Sequence, residues 1–288
     1  MLCRTADLIA EAGASGNGIA ALNVITLEHV EAVADAAQAT GLPAIVQISH
    51  NTVRHHGGDV LPLAAAAAAV ARAGDARLAL HLDHVEDVGL LHRTAECGAS
   101  SVMYDASRLP DEENIAATRS AARWAHANGL FIEAELGEIG GKGSAHTPGV
   151  RTDPGQAARF VAETGVDALA VAVGSRHAMV TRTTVLDLDL VSRLHEAVPV
   201  PLVLHGSSGV EPASLRAAVE RGLTKINIGT LLNVAFTGAV RSALSDAPEL
   251  VDPRRCLAAA RAAVSAVVAD CLRAVTTQAP APDPAPTA

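Results

Sequence analysis

Eight strand-length apolar runs punctuate the chain, near residues 18–25, 43–49, 77–83, 100–105, 130–136, 168–174, 201–206 and 225–230, and a helical pattern follows each. Their starts recur every 23 to 38 residues, often just after Gly or Pro, as at Gly41-Leu-Pro43, Gly98, Gly129, Gly165, Pro199-Val-Pro201 and Gly222. Repeated βα units with that rhythm pair their strands in parallel. Doubly wound sheets share the spacing, but the count of eight selects a closed (β/α)8 TIM barrel, an α/β fold. A length of 288 residues suits one such barrel. We therefore expect a single domain over residues 1–278 and a disordered tail at 279–288, where Ala and Pro alternate. A last helical pattern, about 254–275, should pack across the outside or toward a neighbour.

Polar residues gather where these runs end: Asn23, Gln47 and Ser49, Asp83 and His84, Asp105 and Ser107, Glu133 and Glu135, His177, His205 and Ser208, Asn227 and Thr230. Burying so many polar groups among Ala, Val and Leu is costly unless they serve a site. Three of the runs end on histidine: Leu78-Ala-Leu-His-Leu-Asp83-His84, Ala170-Val-Ala-Val-Gly-Ser-Arg-His177 and Leu202-Val-Leu-His205-Gly206. A barrel brings all strand C-termini to one mouth, where three neutral imidazoles plus one open position make a catalytic zinc site.

Composition excludes other classes. Aromatic residues make up 2% of the chain, too few for base-stacking platforms, and a net charge of −9 lacks the basic face that nucleic acid requires. A small phosphorylated metabolite can still be held by local donors. The scattered Cys3, Cys97, Cys256 and Cys271 have no paired spacing, which fits a reducing, cytoplasmic compartment. The N-terminal segment carries Arg4, Asp7 and Glu11 and reads as an amphipathic helix rather than a signal peptide. The alanine run Ala64 to Ala69 is too short to span a bilayer, so no membrane partner is expected.

The segments HLDH (81–84), EAELG (133–137) with a Gly-Gly pair (140–141), AVGSRH (172–177), LVLHGSSG (202–209) and KINIGT (225–230), in this order, resemble the class II fructose- and tagatose-bisphosphate aldolases over nearly the whole chain. The resemblance implies Zn2+ held by His84, His177 and His205, with Glu135 able to hold the ion in an alternate position. It implies that Asp83 exchanges a proton with the ketose C4 hydroxyl. Gly206, Ser208, Gly229 and Thr230 would cradle a phosphate, joined by the backbone N–H of Ala178, with Asn227 on the triose part. Asn23, Gln47 and Ser49 would make further substrate contacts. Arg254, in Asp252-Pro253-Arg254, would meet the distal phosphate, often across a subunit boundary; a homo-oligomer, dimer or tetramer, is implied. The reaction would be reversible cleavage of a ketose 1,6-bisphosphate to dihydroxyacetone phosphate and glyceraldehyde 3-phosphate, a step of glycolytic carbohydrate metabolism.

The residues support that chemistry independently. Breaking a ketose between C3 and C4 leaves enediolate charge, which needs a Schiff-base lysine or a Lewis-acid metal. The two lysines are poorly placed for an imine: Lys142 lies in a Gly-rich loop, and Lys225 is expected to begin the eighth strand, away from the mouth, paired with Asp105 or Glu133 inside the barrel. Imidazole ligands favour zinc over magnesium. Of the other histidines, His81 reads as a hydrogen-bonded residue of the barrel interior. His29, His92, His126 and His195 read as solvated or half-buried helix residues, and His50, His55 and His56 as a loop after the second strand. Trp124 reads as helix packing.

The chain leaves the family pattern in two places. Relatives carry an acid just after the Gly-Gly pair, thought to handle the C3 proton, where this chain has Lys142-Gly143-Ser144. His146 and Glu138 are the nearest titratable substitutes, and His146 is the preferred catalytic candidate. Ala178 stands where relatives have glycine. Two rival functions remain: an aldolase for another phosphorylated ketose, such as a deoxy-ketogluconate phosphate, and a sugar-phosphate-binding protein with weakened turnover.

Overall fold

A computed structural model gives the architecture of residues 1–136, 151–175 and 180–277. The expected tail at 279–288 lies outside them. The strands are β1 (Leu2–Cys3), β2 (Ile19–Asn23), β3 (Ala44–Ser49), β4 (Leu78–Val85), β5 (Ser101–Tyr104), β6 (Phe131–Glu135), β7 (Ala168–Ala170), β8 (Leu202–Leu204) and β9 (Leu223–Ile228). The helices are α1 (Thr5–Ala14), α2 (Leu27–Thr40), α3 (His50–His55), α4 (Leu61–Ala73), α5 (Val88–Arg93), α6 (Asp111–Ala127), α7 (Pro154–Thr164), α8 (Leu188–Ala197), α9 (Pro212–Glu220), α10 (Thr230–Asp246) and α11 (Pro253–Val275). Strands β2 to β9 pair in parallel in sequence order, and β9 closes on β2 with Ala21 opposite Asn227. The result is the expected (β/α)8 barrel. The short β1 adds to the start of β4, where Leu2 pairs with Leu78; a two-residue strand leaves no periodicity to read.

Alternate residues of a strand share a face. At the bottom of the barrel the inward face is apolar: Ile19, Ala21, Ile45 and Ala79 are covered by Leu8, Ile9 and Ala12 of α1. Farther up, the same face turns polar, with Lys225 and Glu133 in one ion pair and His81 bound to Ser101. The outward faces join the helices in one large core, to which α4 adds the buried Ala64, Ala67 and Ala71. A methyl side chain costs a helix little entropy and allows close packing on the strands. Aspartates start several helices: Asp87, Asp153, Asp187 and Asp252 each accept a first-turn backbone N–H. Among the described residues no helix is long and apolar enough to cross a membrane.

Four expectations need correction. The last strand begins at Leu223 rather than 225, and Lys225 pairs with Glu133 inside the barrel, as expected. β7 stops at Ala170, not 174, because the Ala172 N–H turns away to Thr152 Oγ1 at 2.8 Å. His50 and His55 sit on the short helix α3, which Ser49 caps, rather than in a loop. His29 is buried, not solvated, stacked on Phe236 of α10 with ring centroids 4.5 Å apart. The 3.6-residue pattern of α2 could not reveal that α10 covers this position.

Burial, partly opposed by Glu28, lowers the His29 pKa from about 6.5 to about 4, and its Nε2 has no partner among the described residues. The unfolded chain therefore binds the extra proton between those values, so this contribution to stability is full above about pH 6.5 and lost as pH falls toward 4. Urea unfolding midpoints should fall across that window, and His29→Gln should reduce the slope. An unchanged slope would show that His29 does not titrate there.

Candidate active site

At the C-terminal mouth, β4 presents two consecutive polar residues, Asp83 and His84. A regular strand would send them to opposite faces. Here the β4–β5 register shifts between Leu82 and Val85, and His84 adopts φ 49°, a left-handed conformation that costs a non-glycine residue free energy. This bulge brings both side chains to one cavity. Periodicity alone could not have placed them together.

Carboxylates brace the imidazoles from behind. His84 Nδ1 donates to Asp105 Oδ2 at 2.8 Å, and Asp105 is fixed in turn by the Ser107 hydroxyl at 2.6 Å. His205, just past β8, donates from Nε2 to Glu133 Oε1 at 2.8 Å, while Glu133 Oε2 accepts from Lys225 Nζ at 2.8 Å. Its Nδ1 lies 3.2 Å from Glu135 Oε2. The two rings meet edge-on, with centroids 4.8 Å apart. Histidine held at one nitrogen by a carboxylate is the usual arrangement behind a metal ligand.

Among the described residues, two groups bring ligand atoms within 4.8 Å of one another: Asp83, His84 and His205, and His84, Asp105 and Glu135. Their electrostatics suit a cation. Burial disfavours the His84 imidazolium, yet Asp83, Asp105 and Glu135 outweigh it and raise the pKa to about 10. Burial likewise opposes ionisation of Asp83, but the charges of His84, His205 and Lys225 push its pKa well below the usual carboxylate range. The donor set of two braced imidazoles and nearby carboxylates therefore fits a divalent metal.

Asp83 is held on both oxygens, by Asn23 Nδ2 at 2.8 Å and by Asn227 Nδ2 at 3.5 Å. Asn23 Oδ1 accepts from Gln47 Nε2 at 3.1 Å. Gln47 is fully buried behind this pair and does not line the cavity among the described residues, so its contact with the site is indirect. A cavity of about 210 Å³ beside Asp83 and His84 is lined by Asn23, Ser49, Gly206, Ser208, Gly229 and Thr230. Gly206 takes φ 63°, turning the chain sharply after His205. A Cβ on Gly229 would come 3.3 Å from that of Asn23. Thr230 begins α10, whose N-terminal N–H groups favour an anion.

Asn51 and Asn233 also line this cavity and escaped the sequence reading. Their only signal is position: Asn51 lies two residues after Ser49, and Asn233 lies one turn after Thr230. Arg254 is placed elsewhere. Its side chain is 87% exposed and paired with Asp252 rather than facing the cavity of this chain. His177, Ala178, His146 and Glu138 lie outside the described residues.

The sequence profile of the family Fructose-bisphosphate aldolase class-II matches residues 3–279. Among solved structures, the YdjI aldolase from Escherichia coli K12 shares 29% identity and a TM-score of 0.83, covering 97% of this chain and 100% of that one. A protein from Coccidioides immitis, described as a candidate fructose-1,6-biphosphate aldolase, shares 30% identity with a TM-score of 0.80, covering 94% and 96%. Fructose-bisphosphate aldolase from Campylobacter jejuni, 23% identical with a TM-score of 0.80 over 95% of each chain, shares the fold.

Proposed function

Because the chain belongs to the class II fructose-bisphosphate aldolase family, we propose that it is a zinc-dependent aldolase that reversibly splits a ketose 1,6-bisphosphate into dihydroxyacetone phosphate and glyceraldehyde 3-phosphate. One observation carries this reading: two carboxylate-braced imidazoles, His84 and His205, share a cavity with a buried carboxylate and a glycine-hydroxyl cradle at a helix N-terminus.

His84 and His205 would hold the ion, with His177 as third ligand and Glu135 as alternate ligand. A bound divalent ion supplies Lewis acidity toward the ketose oxygens and offsets the negative charge left when the C3–C4 bond breaks. Asp83 removes the C4 hydroxyl proton; C4 becomes the aldehyde carbon, and the C3–C4 electron pair stays with the triose half. Asn23 and Asn227 keep Asp83 oriented through this transfer. Gly206, Ser208, Gly229 and Thr230 hold the triose phosphate, to which the Ala178 N–H would add a donor, and Ser49 and Asn227 meet substrate hydroxyls. Asn227 Oδ1 has no protein partner among the described residues, which suits it to accept from such a hydroxyl. His146 is proposed to return a proton to C3. A homo-oligomer would bring Arg254 to a neighbouring cavity.

A second reading, an aldolase for another phosphorylated ketose, would follow if Arg254, which lies away from the cavity of its own chain, reaches no neighbouring cavity either. The binding-protein reading gains no support, since simple sugar-phosphate binding has no use for a buried ionised Asp83 beside His84. A coupled assay on zinc-loaded enzyme with fructose and tagatose 1,6-bisphosphate separates these possibilities. Cleavage of either epimer supports the first reading. Cleavage of neither, with turnover of a different ketose phosphate, replaces it with the second.

A further inference from the structure

A second cavity, of about 450 Å³, opens beside the first. The two share Ser49, Asn51 and His84 and then diverge: the first runs toward the cradle at Gly206 and Thr230, the second toward Ser107 and Arg108 after β5. A ketose phosphate anchored in the cradle and passing His84 therefore sends its aldehyde half into the second cavity. Two guanidiniums line that space, Arg54 from α3 and Arg108 from the segment after β5. Both reach Glu86, which follows β4, at 3.3 Å through different carboxylate oxygens. Arg54 also donates to Asn51 Oδ1 at 3.4 Å, and the Glu86 N–H donates to His50 Nδ1 at 3.3 Å.

Among the described residues, one carboxylate thus positions two positive charges and balances only one of them. The other acids lining the cavity, Asp105 and Glu135, are turned to the imidazoles of the first site. Arg54 and Arg108 side chains are 58% and 79% exposed, so their pairs with Glu86 are weak and readily shared with an incoming anion. A planar guanidinium meets a carboxylate or phosphate through two parallel hydrogen bonds, which a lysine cannot do.

We propose that the aldehyde half of the substrate ends in an anionic group, a carboxylate or a phosphate, bound by Arg54 and Arg108 of the same chain. This rests on the aldolase reading and supplies a contact for the far end of the substrate that Arg254 does not make within its own chain.

The test runs the reaction toward condensation, with dihydroxyacetone phosphate and three aldehydes: glyceraldehyde 3-phosphate, succinic semialdehyde and neutral D-glyceraldehyde. Arg54→Gln/Arg108→Gln should lose at least about tenfold more kcat/KM with an anionic aldehyde than with the neutral one, chiefly through KM. The anionic aldehyde with the larger loss identifies the group. Arg54→Lys/Arg108→Lys should recover only part of it, and Arg254→Ala should lose less than the double glutamine variant. Zinc content and circular dichroism matching the wild type confirm that the variants fold. Equal losses on all three aldehydes, no loss on either anionic one, or a larger loss from Arg254→Ala would overturn the assignment. Failure of the wild type to condense any aldehyde would instead remove the aldolase reading, and the subsite with it.

Discussion

Asp83→Ala should lower turnover by at least about two orders of magnitude, the scale of a positioned acid or base, while zinc content stays at the wild-type level. Both Asp83 oxygens already accept side-chain amides, from Asn23 and Asn227, and the residue is 3% exposed. Such a carboxylate keeps one orientation toward a substrate hydroxyl, and removing it leaves the braced rings of His84 and His205 in place. Asp83→Asn provides the isosteric comparison, retaining the shape without the base. Metal analysis and kinetics on the same samples decide the role. A parallel fall in zinc content would make Asp83 a ligand or a support for His84 instead of the base.

The second large effect is expected at Lys225. It is fully buried with its ammonium on Glu133, and Glu133 also receives His205. Burial opposes ionisation of Glu133, but Lys225 and His205 hold its pKa at about 2. Lys225→Met strands this carboxylate with one partner, at a cost of about 3–5 kcal/mol for a broken buried pair. Glu133 would then draw a proton onto His205, and an imidazolium is a poor metal ligand, so zinc affinity should fall about 10- to 100-fold. Glu133→Gln/Lys225→Met removes the uncompensated charge and should regain much of the stability. If the double variant is as unstable as the sum of the singles, the pair is not coupled as its geometry indicates.

The barrel was legible because its signal repeats: each apolar run is bounded by turn residues, and eight of them admit few architectures. The cluster of polar strand ends was legible for the same reason, since a closed barrel leaves those ends one place to meet. What escaped depended on contacts between distant segments. The bulge that turns His84 toward Asp105 arises where β4 meets β5, and nothing in HLDH itself requires φ 49°. The last strand starts two residues before its expected bound because strand starts are set by pairing partners, and here Ile19 lies opposite Lys225. Arg54 and Arg108 stood out from no pattern, being ordinary surface arginines until Glu86 gathers them at one cavity.

Zinc dependence is tested most directly by stripping the metal with a chelator, dialysing, and titrating zinc back while bound metal and ketose-bisphosphate cleavage are measured on the same samples. Turnover should vanish on stripping and return in proportion to the zinc bound, and borohydride should trap no imine. Full turnover in the stripped protein, or borohydride inactivation in the presence of dihydroxyacetone phosphate, would contradict a metal centre at His84 and His205.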